Sequence, residues 1–238
     1  LEKQKLIRIN KYLSQAGYCS RRQADRLLAE GKITINGKIP EMGTKVAPGD
    51  EVRVAGKLIE NKQEKPTYIA FNKPVGIVCT TDRKVEKDNI IDYINYPKRI
   101  YPIGRLDKMS EGLILLTDDG SIVNRILRSR NDQGKEYIVT VNKPLTSSFL
   151  EGMSNGVPIL NTITKKCKVK QTKSHEFHIV LTQGLNRQIR RMCEHFDYRV
   201  EKLKRIRVIN IHLGDLPVGK YRDLTSKEIQ ELKKIVEE

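Results

Sequence analysis

A carboxylate in a loop that runs straight into an apolar strand is a candidate for covalent or proton-transfer chemistry. This chain has one at Gly104-Arg105-Leu106-Asp107-Lys108, ahead of Leu113-Ile114-Leu115-Leu116, a strand that would hold the loop against a rigid support. Taken alone, the tetrapeptide ending at Asp107 reads first as an Arg–Asp pair stabilising a turn. Three companions change that reading. Asn72-Lys73-Pro74-Val75-Gly76 closes one strand, Lys135-Glu136-Tyr137 opens another, and Asn186-Arg187-Gln188-Ile189-Arg190-Arg191-Met192 begins a helix. A buried carboxylate keeps its charge only beside a cation. In the helix, Ile189, Met192, Cys193 and Phe196 form an apolar face, leaving Arg187 and Arg190 one turn apart on another. One guanidinium can then face a carboxylate and the other a phosphate. A generic basic surface accounts for Arg187 as well as catalysis does and for Arg190 less well, while Arg191 reads as phosphate-facing or structural. Tyr137 alternates with Val139 and Val141, so its simplest role is that of a core aromatic.

The elements that must position these residues alternate between strand and helix. Thr67–Phe71, Leu113–Thr117, Lys135–Val141, Thr164–Lys170, Phe177–Thr182 and Lys204–Ile211 read as extended. Ser121–Arg128, Ser148–Met153 and Asn186–Phe196 read as helices, and Thr225-x-x-Glu228 is a capping box opening a C-terminal helix with Ile229, Leu232 and Val236 on one side. The expectation is an α+β fold with a mixed, mainly antiparallel sheet over residues 67–238.

Ahead of it lies a smaller unit, residues 6–60, joined by a polar linker at 61–66 that ends in proline. Two short helices come first, one carrying Ile9, Leu13 and Ala16, the other opened by the capping box Ser20-Arg21-Arg22-Gln23. Burying Ala24, Leu27 and Leu28 leaves Arg21, Arg22 and Arg26 as a positive stripe. Ile33-Thr34-Ile35, the hairpin signal Asn36-Gly37, and a strand carrying Val52 and Val54 complete the helix-helix-strand unit.

A net charge of +16 over 238 residues exceeds what solubility requires and indicates a polyanionic partner. Nucleic acid is favoured over membrane, because the cations are spread through folded segments and no apolar run approaches the roughly 18 residues of a spanning helix. Cys19, Cys79, Cys167 and Cys193 lack paired spacing and read as reduced thiols of a cytoplasmic protein. His175, His178, His195 and His212 form no metal set, and no phosphate-binding glycine loop appears, so neither metal nor nucleotide cofactor is expected.

The run S-R-R-Q-A-D, then G-x-I-x-I-N-G-K and P-G-D-E-V, resembles the RNA-binding module first described in ribosomal protein S-four. Across the whole chain, the four motifs around Lys73, Asp107, Tyr137 and Arg190 resemble the RsuA/RluB/RluE/RluF group of pseudouridine synthases. Gly184–Glu194, Lys165–Lys170 and Tyr221–Thr225 are most similar to its RluF branch. That resemblance implies a cofactor-free enzyme with Asp107 as nucleophile, Arg190 as its salt-bridge partner and Tyr137 beneath the target uracil. It further implies RNA contacts from Arg105, Arg187, Arg191 and Lys73, with Lys73 and Pro74 better suited to shaping the adjoining loop, and from Arg21, Arg22 and Arg26 in the first unit. The implied substrate is large-subunit ribosomal RNA at the uridine numbered 2604, with transfer RNA as a further partner and a monomeric protein. One departure is Met109, where the group usually has a polar residue.

Overall fold

The computed structural model describes residues 6–60, 65–81, 86–128 and 134–237. Most of the linker expected at 61–66 falls on residues 61–64, outside that set. The chain divides into two compact units, one of residues up to Pro66 with Asp118–Gly120, the other of Thr67–Thr117 with Ser121–Glu238.

The first unit runs β1 (Ile7–Arg8), α1 (Ile9–Gln15), α2 (Arg21–Ala29), β2 (Ile33–Ile35), β3 (Lys45–Val46), β4 (Val52–Val54) and β5 (Lys57–Leu58). β1 pairs with β3, while β2, β4 and β5 form a small antiparallel sheet. Ile9, Leu13, Ala24, Leu28, Ile33, Val52 and Val54 are its core. At the start of α2 the Ser20 hydroxyl accepts from Gln23 N at 3.1 Å, but the reciprocal glutamine bond is absent and Gln23 is exposed. Asn36-Gly37 forms the expected two-residue turn with both φ positive, 51° and 76°, closed by Ile35 N donating to Lys38 O at 2.8 Å and Lys38 N to Ile35 O at 3.0 Å, though the returning arm is a single bridge rather than a strand. Asn36 N also donates to Glu51 O, and β2 takes β4 as its partner strand.

The second unit continues with β6 (Tyr68–Lys73), α3 (Ile90–Ile94), β7 (Tyr101–Pro102), β8 (Glu111–Thr117), α4 (Gly120–Arg128), β9 (Lys135–Val141), α5 (Ser147–Asn155), β10 (Pro158–Ile159) and β11 (Thr162–Ile163). It closes with β12 (Lys168–Lys173), β13 (Glu176–Leu181), α6 (Gln188–His195), β14 (Val200–Val208), β15 (Ile211–His212), β16 (Tyr221–Asp223) and α7 (Ser226–Glu237). Among the described residues the main sheet has the order β12-β13-β9-β14-β8-β6-β16, with β15 on β14 and β7 on β8. Every pairing in it is antiparallel except β14 with β8, so the sheet is mixed and mainly antiparallel as the sequence predicts.

The centre of the sheet is covered on both faces, which is why β6 and β8 read as continuous apolar runs rather than alternating ones. Ile69, Phe71, Ile114 and Leu116 face one core with residues of α3, α5 and α6, whereas Tyr68, Ala70, Leu113 and Leu115 face the other with Ile122 and Ile126 of α4 and Leu232 of α7. β12 ends the sheet and is exposed at Lys168, Lys170 and Lys173. It begins later than the predicted Thr164, because Thr164 closes the β10–β11 hairpin, its hydroxyl accepting from Val157 N at 2.9 Å. None of the described helices is long and apolar enough to cross a membrane.

α7 opens with a complete capping box. Glu228 N donates to the Thr225 hydroxyl at 3.2 Å and Thr225 N to the Glu228 carboxylate at 2.8 Å, while Arg222 grips both carboxylate oxygens at 2.9 and 2.7 Å. Arg222 first, then the Thr225 amide, hold Glu228 down at about 2 from its usual 4.5. A depressed carboxylate contributes its full stability above its unfolded pKa and loses it as the folded value is approached. Glu228→Gln should therefore be less stable than the parent at pH 6, with the gap narrowing as pH falls from about 4.5 toward about 2. Urea unfolding of both proteins across that range checks it; a constant gap would remove the carboxylate as the cause.

Candidate active site

The Asp107 loop is fixed through its backbone. Gly104 turns it with φ of 78°, and Leu106, 8% exposed, anchors it in the core while its N–H donates to the Cys79 thiol at 3.4 Å. Three consecutive carbonyls are then held. Asp107 O accepts from Ser110 N at 3.0 Å, Lys108 O from Gly76 N at 2.8 Å and Lys73 Nζ at 3.4 Å, and Met109 O from Arg190 Nη2 at 2.9 Å. Lys73 and the loop after β6 thus hold Lys108, the first turn of α6 holds Met109, and the loop closes on Asp107 through its own Ser110.

Both cations that do this are buried. Lys73 has no exposed surface, and its ammonium donates to Pro74 O at 2.7 Å as well as to Lys108 O. Burial lowers its pKa, against the opposing influence of Cys79 and the Asp107 and Glu111 carboxylates. Of the two roles expected of Lys73, the enclosed side chain fits that of shaping the loop and offers no surface to a phosphate in this structure. Arg190 is 8% exposed, donates also to Val200 O at 3.3 Å, and leaves Nε without a partner. Burial lowers its pKa, the neighbouring Arg187 adds to that, and Asp107 opposes it.

Asp107 itself is half-buried and lies within the electrostatic reach of Lys73 and Arg190. The direct ion pair with Arg190 is not formed, because the guanidinium is engaged by the Met109 and Val200 carbonyls. Among the described residues no ion pair or side-chain hydrogen bond occupies the Asp107 carboxylate, and the Ser110 hydroxyl beside it is also buried without a partner. Tyr137, 9% exposed, sits in the same core cluster as Leu106, Ile189 and Met192. The sequence neighbours of Asp107 and Arg190 thus belong to the same hydrophobic core as Tyr137.

Arg187 caps α6 in the left-handed region, φ 50° and ψ 35°, with its side chain exposed. That conformation shortens the predicted Asn186–Phe196 helix to one beginning at Gln188. Arg191 is turned back, donating to Asn186 O at 3.1 Å and to its side-chain oxygen at 3.3 Å, which leaves it a structural as well as a polar role. Arg105 is exposed next to Asp107, and Arg21, Arg22 and Arg26 are exposed along α2 in the other unit. Sequence reasoning missed Arg205, 3% exposed, whose Nε donates to Leu113 O at 2.6 Å. The signal was present: Arg205 alternates with the inward Leu203. Its backbone lies against Gly112 at the parallel β14–β8 contact, where a Cβ on Gly112 would collide with Arg205 O.

Comparison with known proteins is consistent across sequence and structure. The profile of a family described as RNA pseudouridylate synthase matches residues 67–195, and that of the S4 domain matches residues 7–52. The chain is 56% identical over 232 residues to the dual-specificity RNA pseudouridine synthase RluF of Escherichia coli (strain K12), covering 97% of this chain and 80% of that one. It is 33% identical to ribosomal large subunit pseudouridine synthase B of Bacillus subtilis (strain 168), covering 97% of each. A crystal structure of a pseudouridylate synthase superposes with a TM-score of 0.68 at 28% identity, covering 95% of this chain and 99% of that one.

The grip on the three carbonyls is testable without any substrate. Arg190→Met strands the Met109 and Val200 carbonyls, and should cost about 2–3 kcal/mol in urea unfolding. Amide exchange at Ser110 and Gly76 should also accelerate. Parent-like protection at Ser110 would mean that the loop holds itself without the guanidinium.

Proposed function

The chain belongs to the RNA pseudouridine synthase family and carries an S4 domain ahead of its catalytic domain, and from that premise we propose a site-specific uridine isomerase of large-subunit ribosomal RNA with Asp107 as its nucleophile. The observation that carries the assignment is the unengaged Asp107 carboxylate, half-buried on a loop whose carbonyls are gripped by two buried cations, Lys73 and Arg190. Uridine becomes pseudouridine when the bond from N1 to C1′ of the ribose breaks, the uracil turns, and C5 bonds to C1′. The C5 proton leaves and N1 gains one, so the reaction is redox-neutral and needs neither cofactor nor phosphate donor.

In this reading the Asp107 carboxylate attacks the sugar or removes a sugar proton, and either act needs its negative charge. Arg190 and Lys73 supply the positive field, and the free Arg190 Nε is a donor within the same site. Tyr137 offers a ring face for the uracil and a hydroxyl for proton handling. Arg105 and Arg187, both exposed at the site, hold the extruded nucleotide and its phosphates, and Arg191 contributes at the rim. Arg21, Arg22 and Arg26 of the S4 domain bind RNA away from the reacting base. Uridine 2604, implied by the resemblance of the motifs, is the target in this reading, and the dual specificity in the RluF relative's name supports a second RNA, for which transfer RNA is our choice. Residues 6–60 and 67–238 are taken as the two domains of a monomeric, cytoplasmic enzyme.

Two measurements test this. Asp107→Asn keeps side-chain volume, so unfolding and RNA affinity should match the parent while single-turnover conversion of a uridine-containing 23S fragment falls to background. Conversion at the parent rate would reject Asp107. Replacing Arg21, Arg22 and Arg26 together by Gln should weaken RNA binding and make the plot of log affinity against log salt shallower by roughly two, a slope of about 0.7–0.9 accompanying each lost phosphate contact. An unchanged slope would take the α2 stripe out of the interface.

A further inference from the structure

Two apolar side chains stand exposed on the loops that grip Asp107: Met109 at 59% and Val75 at 48%. Single exposed apolar residues are ordinary on protein surfaces, so exposure alone decides nothing. Their placement does. Val75 and Met109 are the immediate neighbours of the two residues joined by the Gly76 N to Lys108 O hydrogen bond, and Met109 O is held by Arg190. Their backbone is therefore fixed while the side chains stay out of the core. Cations flank the pair: Arg105 is exposed, and Lys108 is 47% exposed beside Glu86.

A base turned out of its stack leaves the flanking base with an uncovered face, and an apolar side chain held at that point can cover it. A thioether suits this because it is polarisable and packs favourably against aromatic rings. We propose that Met109, supported by Val75, forms an apolar shelf for the face of the nucleobase flanking the target uridine, with Arg105 and Lys108 taking the adjoining phosphates. The inference rests on the uridine-isomerase reading above. It assigns a function to the residue at which this chain departs from its group, and predicts an identity-tolerant contact, since every base offers a π face.

The test is a coupling measurement on the full chain. Affinity is measured by fluorescence anisotropy for the parent, Met109→Ser and Met109→Leu with three 23S hairpins: intact, abasic 5′ of the target, and abasic 3′ of it. On intact RNA, Met109→Ser should bind roughly threefold to tenfold more weakly and Met109→Leu nearly as the parent. On one of the abasic RNAs the Ser penalty should vanish, an outcome that a merely structural role for Met109 would not produce. An equal penalty on all three RNAs, or none on the intact one, overturns the proposal. So does a change in self-association by sedimentation in place of RNA affinity, which would make the shelf a contact between copies. Conversion of the intact hairpin by the parent is scored separately: its absence rejects the isomerase reading, while the binding cycle still decides the shelf.

Discussion

The Asp107 loop is organised by backbone carbonyls answering buried positive charge. Lys73, Arg190 and Arg205 are all nearly or wholly enclosed, and their resolved hydrogen bonds run to Pro74, Lys108, Met109, Val200 and Leu113 carbonyls or to none, never to a carboxylate. Carbonyl dipoles solvate a cation without neutralising it, so excess positive potential remains inside. The strand–helix geometry around the site follows: the turn after β6, the Asp107 loop and the start of α6 must converge to supply those oxygens. A carboxylate left unengaged at that point sits in a field that the fold itself fixes.

Much of this was legible from the residues. Alternating or continuous apolar runs placed β6, β8, β9 and β13 to within a few residues, and Thr225-x-x-Glu228 located the start of α7. Three of the motif segments, separated in sequence, are joined by hydrogen bonds of Lys73 and Arg190 to the Asp107 loop, and Tyr137 of the fourth shares a core with Leu106 and Ile189. What the pattern could not supply was side-chain direction at charged positions. Lys73 ends a strand buried along its whole length and turns inward, whereas Arg105, equally basic, turns out. For Arg190 the motif resemblance implies a carboxylate partner and helical spacing supports the face, but neither says which oxygens that face meets, here the Met109 and Val200 carbonyls.

Short elements were missed for a different reason. α3 has five residues, too few for an amphipathic period, and exists because Asn89 caps it, accepting from Ile91 N and Asp92 N, while Ile90 and Ile94 enter the core. The β10–β11 hairpin has two residues in each strand and is closed by Thr164. Tertiary contacts decide such pieces, and a one-dimensional pattern carries little trace of them.

The two ends of the main sheet bear on the protein's behaviour in concentrated solution. A terminal strand is a template on which another copy can add by hydrogen bonding, the first step of edge-to-edge aggregation. Here one end is β16, only three residues long, and the other is β12, whose Lys168, Lys170 and Lys173 are exposed. Two β12 strands brought together would bring rows of ammonium groups face to face. These lysines thus act as gatekeepers against misassembly, letting a long twisted sheet remain open at its ends without becoming a nucleus for fibres.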